Sequence, residues 1–114
     1  MDNKRSIGTA YEEKAEEYLR GKGYTIVNKN FRCRMGEIDL IARQDTVLVF
    51  VEVKYRKTAS FGYPEEAVSF SKQRTIRKVA EYFLVSEHLP LDTECRFDVI
   101  AILGEEIRHI ENAF

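Results

Sequence analysis

Residues 37–42 and residues 47–55 are two stretches rich in apolar residues, with only a few charged positions in each. Branched apolar side chains dominate both stretches, and the residues between them, 43–46, are polar. Such an arrangement is typical of two β-strands joined by a tight turn. The pattern therefore predicts an antiparallel hairpin, around which the rest of the chain is arranged.

The turn predicts which residues of the hairpin lie opposite each other. On one face every pair is apolar: Leu40 with Val51, Ile38 with Val53 and Ala42 with Val49. Strand alternation puts the remaining pairs on the other face: Glu37 with Lys54, Asp39 with Glu52 and Ile41 with Phe50. Because opposed residues have Cβ atoms about 5 Å apart, two carboxylates and a lysine converge on one patch.

The rest of the chain predicts two helices and three further strands. Helical spacing indicates a first helix over residues 8–22 and a second from Ser69 or Ser71 to about residue 87. Their apolar stripes are Tyr11, Ala15, Tyr18 and Leu19, and then Ile76, Val79, Ala80, Phe83 and Leu84. Ser6 or Thr9 could cap the first helix, Gly21 or Gly23 could end it, and Gly36 indicates a bulge or a close backbone approach. Strands follow at residues 24–31, 96–103 and 107–110. The order α-β-β-β-α-β-β predicts the α/β class, with a mixed sheet and a helix on each side.

Composition narrows the class of protein. With 114 residues, 44% hydrophobic and 32% charged, residues 1–114 are expected to form a single globular domain. No apolar run is long enough for a signal peptide or a membrane span, so we expect a soluble, cytoplasmic protein. Cys33 and Cys95 lack the spacing of a zinc site or a secretory context, which favours unpaired thiols. His88 and His109 likewise suggest no zinc site.

The charge of the chain argues against indiscriminate binding of nucleic acid, because the formal net charge is −1. A local basic surface is still possible, since the start of the second helix carries Lys72, Arg74, Arg77 and Lys78 without an acidic residue among them. The N-terminal turn of a helix attracts phosphate through its free N–H groups. The basic run therefore has two interpretations, an exposed helix face and a nucleic-acid contact.

Asp39 and Glu52 need a counter-charge, because paired carboxylates in an apolar sheet repel each other. Hard divalent ions such as Mg²⁺ or Mn²⁺ bind oxygen ligands of this type. The alternative is a structural salt-bridge cluster of Asp39, Glu52 and Lys54, which leaves one negative charge uncompensated in the sheet. Asp98 also interrupts an apolar strand, and it is as consistent with a structural salt bridge as with a role near the site.

Asp39 followed by Glu52-Val53-Lys54 resembles the PD-(D/E)xK nuclease signature. With GEIDLI, FVEVKYR, FGYPEEAV, RFDVI and the closing NAF, the chain resembles the YraN-like small bacterial family of endonuclease-like proteins, similar to Holliday junction resolvases. The resemblance implies a restriction-endonuclease-like fold with Asp39, Glu52 and Lys54 as catalytic residues. It implies Mg²⁺ or Mn²⁺ held by Asp39, Glu52, the Val53 carbonyl and Glu12.

Glu12 belongs to an acidic run that, from the residues alone, is a solvated helix face: Glu12, Glu13, Glu16 and Glu17. The resemblance selects Glu12 from this run as the third carboxylate, with Glu16 as a less favoured substitute. Glu37 is expected to orient Lys54 without binding metal. The expected nucleic-acid contacts are Arg32, Arg56, Lys72, Gln73 and Arg74.

Two functions follow from these residues. The first is a metal-dependent endonuclease acting on DNA, structure-specific or single-stranded. The second is a non-catalytic nucleic-acid-binding module that keeps the fold and works with a partner protein or as a homodimer. The loop over residues 58–66, beside the expected site, could be mobile until substrate binds.

Overall fold

A computed structural model describes the backbone of residues 3–58 and 68–114 and, within those ranges, the side chains from residue 9 onward. It contains two helices and five strands: α1 (Asn3–Gly21), β1 (Thr25–Cys33), β2 (Gly36–Gln44), β3 (Val47–Arg56), α2 (Phe70–Ser86), β4 (Cys95–Leu103) and β5 (Glu106–Ile110). The predicted order and the mixed α/β class are therefore confirmed. Most of the loop predicted over 58–66 lies outside the described residues.

The strands form one sheet in the order β1-β2-β3-β4-β5. Neighbouring strands are antiparallel, except that β3 and β4 are parallel. Parallel neighbours need a crossover connection, and here the connection contains α2. In the described parts of the chain, neither helix is long and apolar enough to span a membrane.

The sheet separates two apolar cores, which we call the α1-side core and the α2-side core. The α1-side core packs Ala15 and Leu19 against Leu40, Ala42, Val49, Val51, Ile100 and Ile102. The α2-side core packs the helix stripe Ile76, Val79, Ala80, Phe83 and Leu84 against Ile38, Ile41, Leu48 and Phe50. Both predicted helix stripes contact the sheet, because apolar residues at helical spacing share one face of a helix.

Some element boundaries differ from the prediction. Helix α1 begins at Asn3 instead of residue 8, so neither Ser6 nor Thr9 is its cap. Apolar periodicity marks only the part of a helix that packs on a core, and it gives no signal for a polar first turn. The hairpin turn is also shorter than expected, because Gln44 pairs with Val47 and only Asp45 and Thr46 connect the strands.

Helix α2 starts at one of the two serines that the sequence predicts as its cap. Ser69 is its N-cap, and its side chain accepts a hydrogen bond from the backbone N–H of Lys72 at 3.2 Å. Gly36 lies under the helix with φ 153°, and a Cβ added there would be 2.8 Å from Cγ2 of Thr75. This close approach places the second turn of α2 directly against the start of β2.

The hairpin register is confirmed for the pairs Leu40 with Val51, Ile41 with Phe50 and Ala42 with Val49. The predicted pairing of Ile38 with Val53 is wrong. The backbone ladder between β2 and β3 ends at Leu40, and Ile38 packs in the α2-side core. The Val53 N–H donates to the Asp39 carboxylate instead, at 2.8 Å.

A local irregularity explains why Ile38 changes side. Asn30 in the neighbouring strand β1 has a left-handed backbone with φ 53°. Lys29 forms an ion pair with Glu16 of α1, whereas Phe31 packs edge-on against Phe83 of α2, with ring centroids 5.1 Å apart. Residues two apart normally share a face of a strand. Here Lys29 and Phe31 point to opposite faces of the sheet. Ile38 pairs with Phe31 in the β1–β2 ladder and lies with it on the α2 side.

Candidate functional site

Asp39 and Glu52 meet where the backbone ladder of the hairpin ends. Asp39 accepts the Val53 N–H in place of a ladder hydrogen bond, which fixes its carboxylate against β3. Glu52 is the next residue before Val53, is only 3% exposed, and lies within hydrogen-bonding reach of Asp39. The structure therefore brings the two predicted carboxylates together, with Glu52 almost closed to water and Asp39 partly exposed.

Two lysines approach the buried end of this pair. Lys54 Nζ is 3.7 Å from Oε2 of Glu52, and Lys72 Nζ is 3.1 Å from the same oxygen. Lys54 comes from the same strand as Glu52, whereas Lys72 comes from the first turn of α2. Sequence spacing predicted Lys54 beside Glu52, but the ion pair with Lys72 depends on how α2 crosses the sheet. We call Asp39, Glu52, Lys54 and Lys72 the charged cluster.

The protonation equilibria of the charged cluster are strongly perturbed. Burial, the Glu52 charge and the Glu12 charge raise the pKa of Asp39 to about 7, against a smaller opposing effect of the Val53 N–H. Burial and the adjacent Lys72 ammonium lower the pKa of Lys54. Burial lowers the pKa of Lys72, but a hydrogen bond with Lys54 and the charge of Glu52 have a larger opposite effect, so the pKa of Lys72 is raised. Asp39 therefore titrates near neutral pH, and Lys54 loses its proton more easily than an ordinary lysine.

Glu12 stands at the rim of the cluster. Burial raises its pKa, the Asn30 side chain counteracts this with a hydrogen bond, and the charges of Glu37 and Glu52 also raise the pKa. Glu16, the less favoured substitute, is bound elsewhere by Arg20 at 2.8 Å and Lys29 at 3.4 Å. The choice of Glu12 over Glu16 agrees with these contacts. The hydrogen bond of Asn30 to Glu12 joins two separate elements and depends on the tertiary structure.

We compared the oxygen ligands available in the charged cluster with those that a hard divalent cation needs. Within residues 3–58 and 68–114, no three His, Cys, Asp or Glu side chains lie close enough together to hold a metal ion. A divalent ion would therefore have two protein carboxylates, Asp39 and Glu52. The Val53 carbonyl is on the side of β3 that faces β2, since the N–H and C=O of one strand residue point to the same neighbour. Mg²⁺ is commonly held by one or two carboxylates with water and substrate phosphates, so these residues fit it.

Glu37 was expected to lie opposite Lys54, but its carboxylate points to a different residue. Its carboxylate binds Arg32 at 2.8 Å, because these residues are neighbours in the β1–β2 ladder and both side chains are at least half exposed. The expected orientation of Lys54 by Glu37 is wrong, since the β2–β3 ladder ends before Glu37. Arg32 nevertheless stays near the site, because its charge acts on Glu12.

The other predicted nucleic-acid contacts have varied surroundings. The Gln73 amide donates to the Val68 carbonyl at 3.2 Å, which ties it to the segment before α2. Arg56 has a buried Nε without a hydrogen-bond partner. Arg74 is exposed on α2. Their part in nucleic-acid binding is still a prediction.

Asp98 lies on the other face of the sheet in a closed network. It is 0% exposed, and its carboxylate accepts Arg96 Nε and Nη2 at 2.9 Å each and the Asn112 N–H at 3.0 Å, with His109 Nε2 at 2.6 Å. Arg96 extends the network to Gln44 and to the Tyr24 hydroxyl. Burial alone would raise the pKa of Asp98, but the hydrogen bonds with His109 and Arg96 lower it. Of the two interpretations of Asp98, the contacts support the structural salt bridge.

The raised pKa of Asp39 predicts how stability depends on pH. An unfolded aspartate has a pKa of about 4, so ionising Asp39 weakens the fold progressively between pH 4 and its folded pKa of about 7. Asp39→Asn keeps an acceptor for Val53 and removes that charge. In a chelating buffer at pH 8, we expect Asp39→Asn to raise the free energy of unfolding by about 2 kcal/mol, with little change at pH 4.5.

Urea unfolding at both pH values, with the exposed carboxylate variant Asp92→Asn as control, measures this effect. An equal gain at pH 4.5 and pH 8 would show that Asp39 ionisation is not its source.

The fold and the site define an α/β protein with a five-stranded mixed sheet and one helix on each face. Its site is a cluster of two carboxylates and two lysines. Residues 11–102 match the model of the uncharacterised protein family UPF0102. The chain belongs to this family.

Relatives of this family resemble the chain along most of its length. A UPF0102 protein of Lachnoclostridium phytofermentans is 52% identical over 112 residues, which cover 98% of this chain and 95% of the relative. A UPF0102 protein of Caldicellulosiruptor saccharolyticus is 45% identical over 118 residues, covering 98% and 99%. A third, from Caldicellulosiruptor bescii, is 50% identical over 101 residues, covering 88% and 84%.

Proposed function

We propose that this protein is a metal-dependent endonuclease of the PD-(D/E)xK type, with a restriction-endonuclease-like fold, that hydrolyses phosphodiester bonds in DNA. The observation that carries the proposal is the contact of Asp39 with Glu52, which is only 3% exposed, beside Lys54. Two carboxylates in contact are costly to a fold, and groups with a strongly shifted pKa, such as Asp39, are common at functional sites.

Each residue of the charged cluster has a role in this proposal. Asp39, Glu52 and the Val53 carbonyl would hold Mg²⁺ or Mn²⁺, and Glu12 would join through water, since it lies at the rim. A divalent ion bound here would supply positive charge to the scissile phosphate and acidify a water molecule. Lys54, with its lowered pKa, can accept a proton from that water or donate a hydrogen bond to a phosphate oxygen.

The surroundings of the cluster support an unpaired or branched substrate. Tyr11 and Tyr55 stack on each other with ring centroids 3.6 Å apart, and both are partly buried against the α1-side core. Partly exposed aromatic rings can stack with bases that are free of a duplex. Arg32, Arg56, Arg74 and Lys72 would supply positive charge for the nucleic-acid strand. Gln73, beside Lys72 at the start of α2, would add a polar contact.

A titration of Mn²⁺ followed by calorimetry tests the metal site without a choice of substrate. Wild type should bind Mn²⁺, and Asp39→Ala should lose measurable binding because it removes one of two carboxylates. Glu13→Gln, an exposed carboxylate on α1, is the matched control and should bind as wild type does. Cleavage of branched, single-stranded and duplex DNA, with and without the metal, then tests the reaction. Failure of wild type to bind Mn²⁺ would contradict the proposal.

A second candidate function is a nucleic-acid-binding module without turnover, acting with a partner protein or as a homodimer. It is favoured by one observation, that no three acidic, His or Cys side chains of the described ranges group as a metal site. Salt-dependent DNA binding without cleavage in any divalent metal would select this alternative.

A further inference from the structure

We propose that Lys72 is an exchangeable cation of the site: its ammonium neutralises Glu52 until a divalent ion binds, and it is then released to contact the phosphate of the substrate strand. This inference rests on the proposed function and adds a step to it. It gives Lys72 two successive partners, one within the protein and one on the nucleic acid.

The geometry places Lys72 where an incoming cation would bind. Its Nζ is 3.1 Å from Oε2 of Glu52, closer than Lys54 Nζ at 3.7 Å. A doubly charged ion bound by Glu52 and Asp39 would repel an ammonium at this distance. One of the two lysines must therefore move away, or the metal binds weakly.

Lys72 is the lysine that can leave at low cost. Its side chain is 43% exposed, against 21% for Lys54, so its ammonium can swing into water or onto a phosphate without crossing the core. Its position in the helix also favours release, because it lies in the first turn of α2, which contains no acidic residue. The positive end of the helix dipole disfavours a cation at this position. The Glu52 carboxylate offsets this effect only while no divalent ion is bound to it.

The exchange predicts that removing the Lys72 ammonium changes the affinity for metal and the metal-dependent affinity for DNA in opposite directions. Without metal, Lys72 is bound to Glu52 and contributes little to binding of a strand. With metal bound, it contacts a phosphate. Lys72→Met keeps the length of the side chain and removes the charge, so it should strengthen metal binding and weaken the metal-dependent part of DNA binding.

The test measures both affinities on the intact chain. By calorimetry, Lys72→Met should bind Mn²⁺ about tenfold more tightly than wild type. With an uncleavable phosphorothioate single strand, saturating Mn²⁺ should increase the affinity of wild type more than that of Lys72→Met. The slope of log K against log salt should be smaller for the variant by about 0.7 when Mn²⁺ is present and equal when it is absent.

Lys78→Met, which removes an exposed lysine of the same helix, is the matched control and should leave Mn²⁺ affinity within about twofold of wild type. If wild type binds Mn²⁺ and Lys72→Met binds it equally or more weakly, the exchange is wrong and the metal site stands. If neither protein binds Mn²⁺, both the exchange and the proposed function are wrong. Tighter binding by Lys72→Met supports the exchange.

An NMR measurement on wild type needs no variant. The side-chain ¹³Cε and Nζ resonances of Lys72 should shift toward those of a solvated lysine as Mg²⁺ is added, while the resonances of Lys78 stay unchanged. A Lys72 signal that does not respond to saturating Mg²⁺ would contradict the exchange.

Discussion

Glu52→Gln is expected to lower the rate of metal-dependent DNA cleavage by at least about 10²–10³-fold. Glu52 is the carboxylate that contacts every other member of the charged cluster, namely Asp39, Lys54 and Lys72. The amide keeps the shape of the side chain but removes one of the two carboxylates that we propose to hold the metal. It also leaves the two ammonium groups without their shared counter-charge.

Rates on single-stranded and branched DNA, measured at saturating Mg²⁺, check this expectation. Lys54→Met should also lose about 10²-fold or more in rate while still binding Mn²⁺, because the proposed metal ligands do not include Lys54. Glu13→Gln is the control and should cleave as wild type does. Cleavage by Glu52→Gln at the wild-type rate would place the reaction elsewhere in the protein or in a contaminant.

Arg96→Met is expected to destabilise the fold by about 3 kcal/mol, more than removal of an ion pair at the surface. Arg96 donates two hydrogen bonds to Asp98, which is 0% exposed, and further bonds to Gln44 and Tyr24. Loss of the guanidinium leaves the buried Asp98 carboxylate with His109 and the Asn112 N–H as its remaining partners among the described residues. A buried charge that loses its main partner is among the most costly defects in a protein.

Urea unfolding at pH 7 measures this loss. Arg20→Met removes an exposed ion pair with Glu16 and should cost less than about 1 kcal/mol. The double variant Arg96→Met/Asp98→Asn should recover part of the loss, because it removes the unpaired charge. Equal losses for Arg96→Met and Arg20→Met would show that the network adds nothing to stability. In wild type the network should weaken in acid: the pKa of Asp98 is lowered by folding, so its contribution is lost as pH falls through the folded value.

Local patterns were sufficient for the secondary structure and for part of the site. The apolar stripe of α2 followed from helical spacing, and a serine cap at Ser69 or Ser71 followed from the hydrogen-bonding capacity of serine; the structure selects Ser69. The register around Leu40 and Val51 followed from turn length and alternation, and it was sufficient to place Asp39 near Glu52. Where the pattern failed, at Ile38, a left-handed Asn30 in the adjacent strand had changed the facing of the side chains. A period of two cannot predict that change.

The sequence alone therefore determined the order of elements, both helix faces and the meeting of Asp39, Glu52 and Lys54, because neighbours in a hairpin are joined by a short turn. Tertiary structure decided that Lys72 reaches Glu52, that Glu12 and not Glu16 faces the cluster, and that Arg96 encloses Asp98. The first two contacts cross between separate elements, and the third depends on how deeply the sheet buries a strand residue. Such distances are set by the packing of helices on the sheet, which local periodicity does not encode.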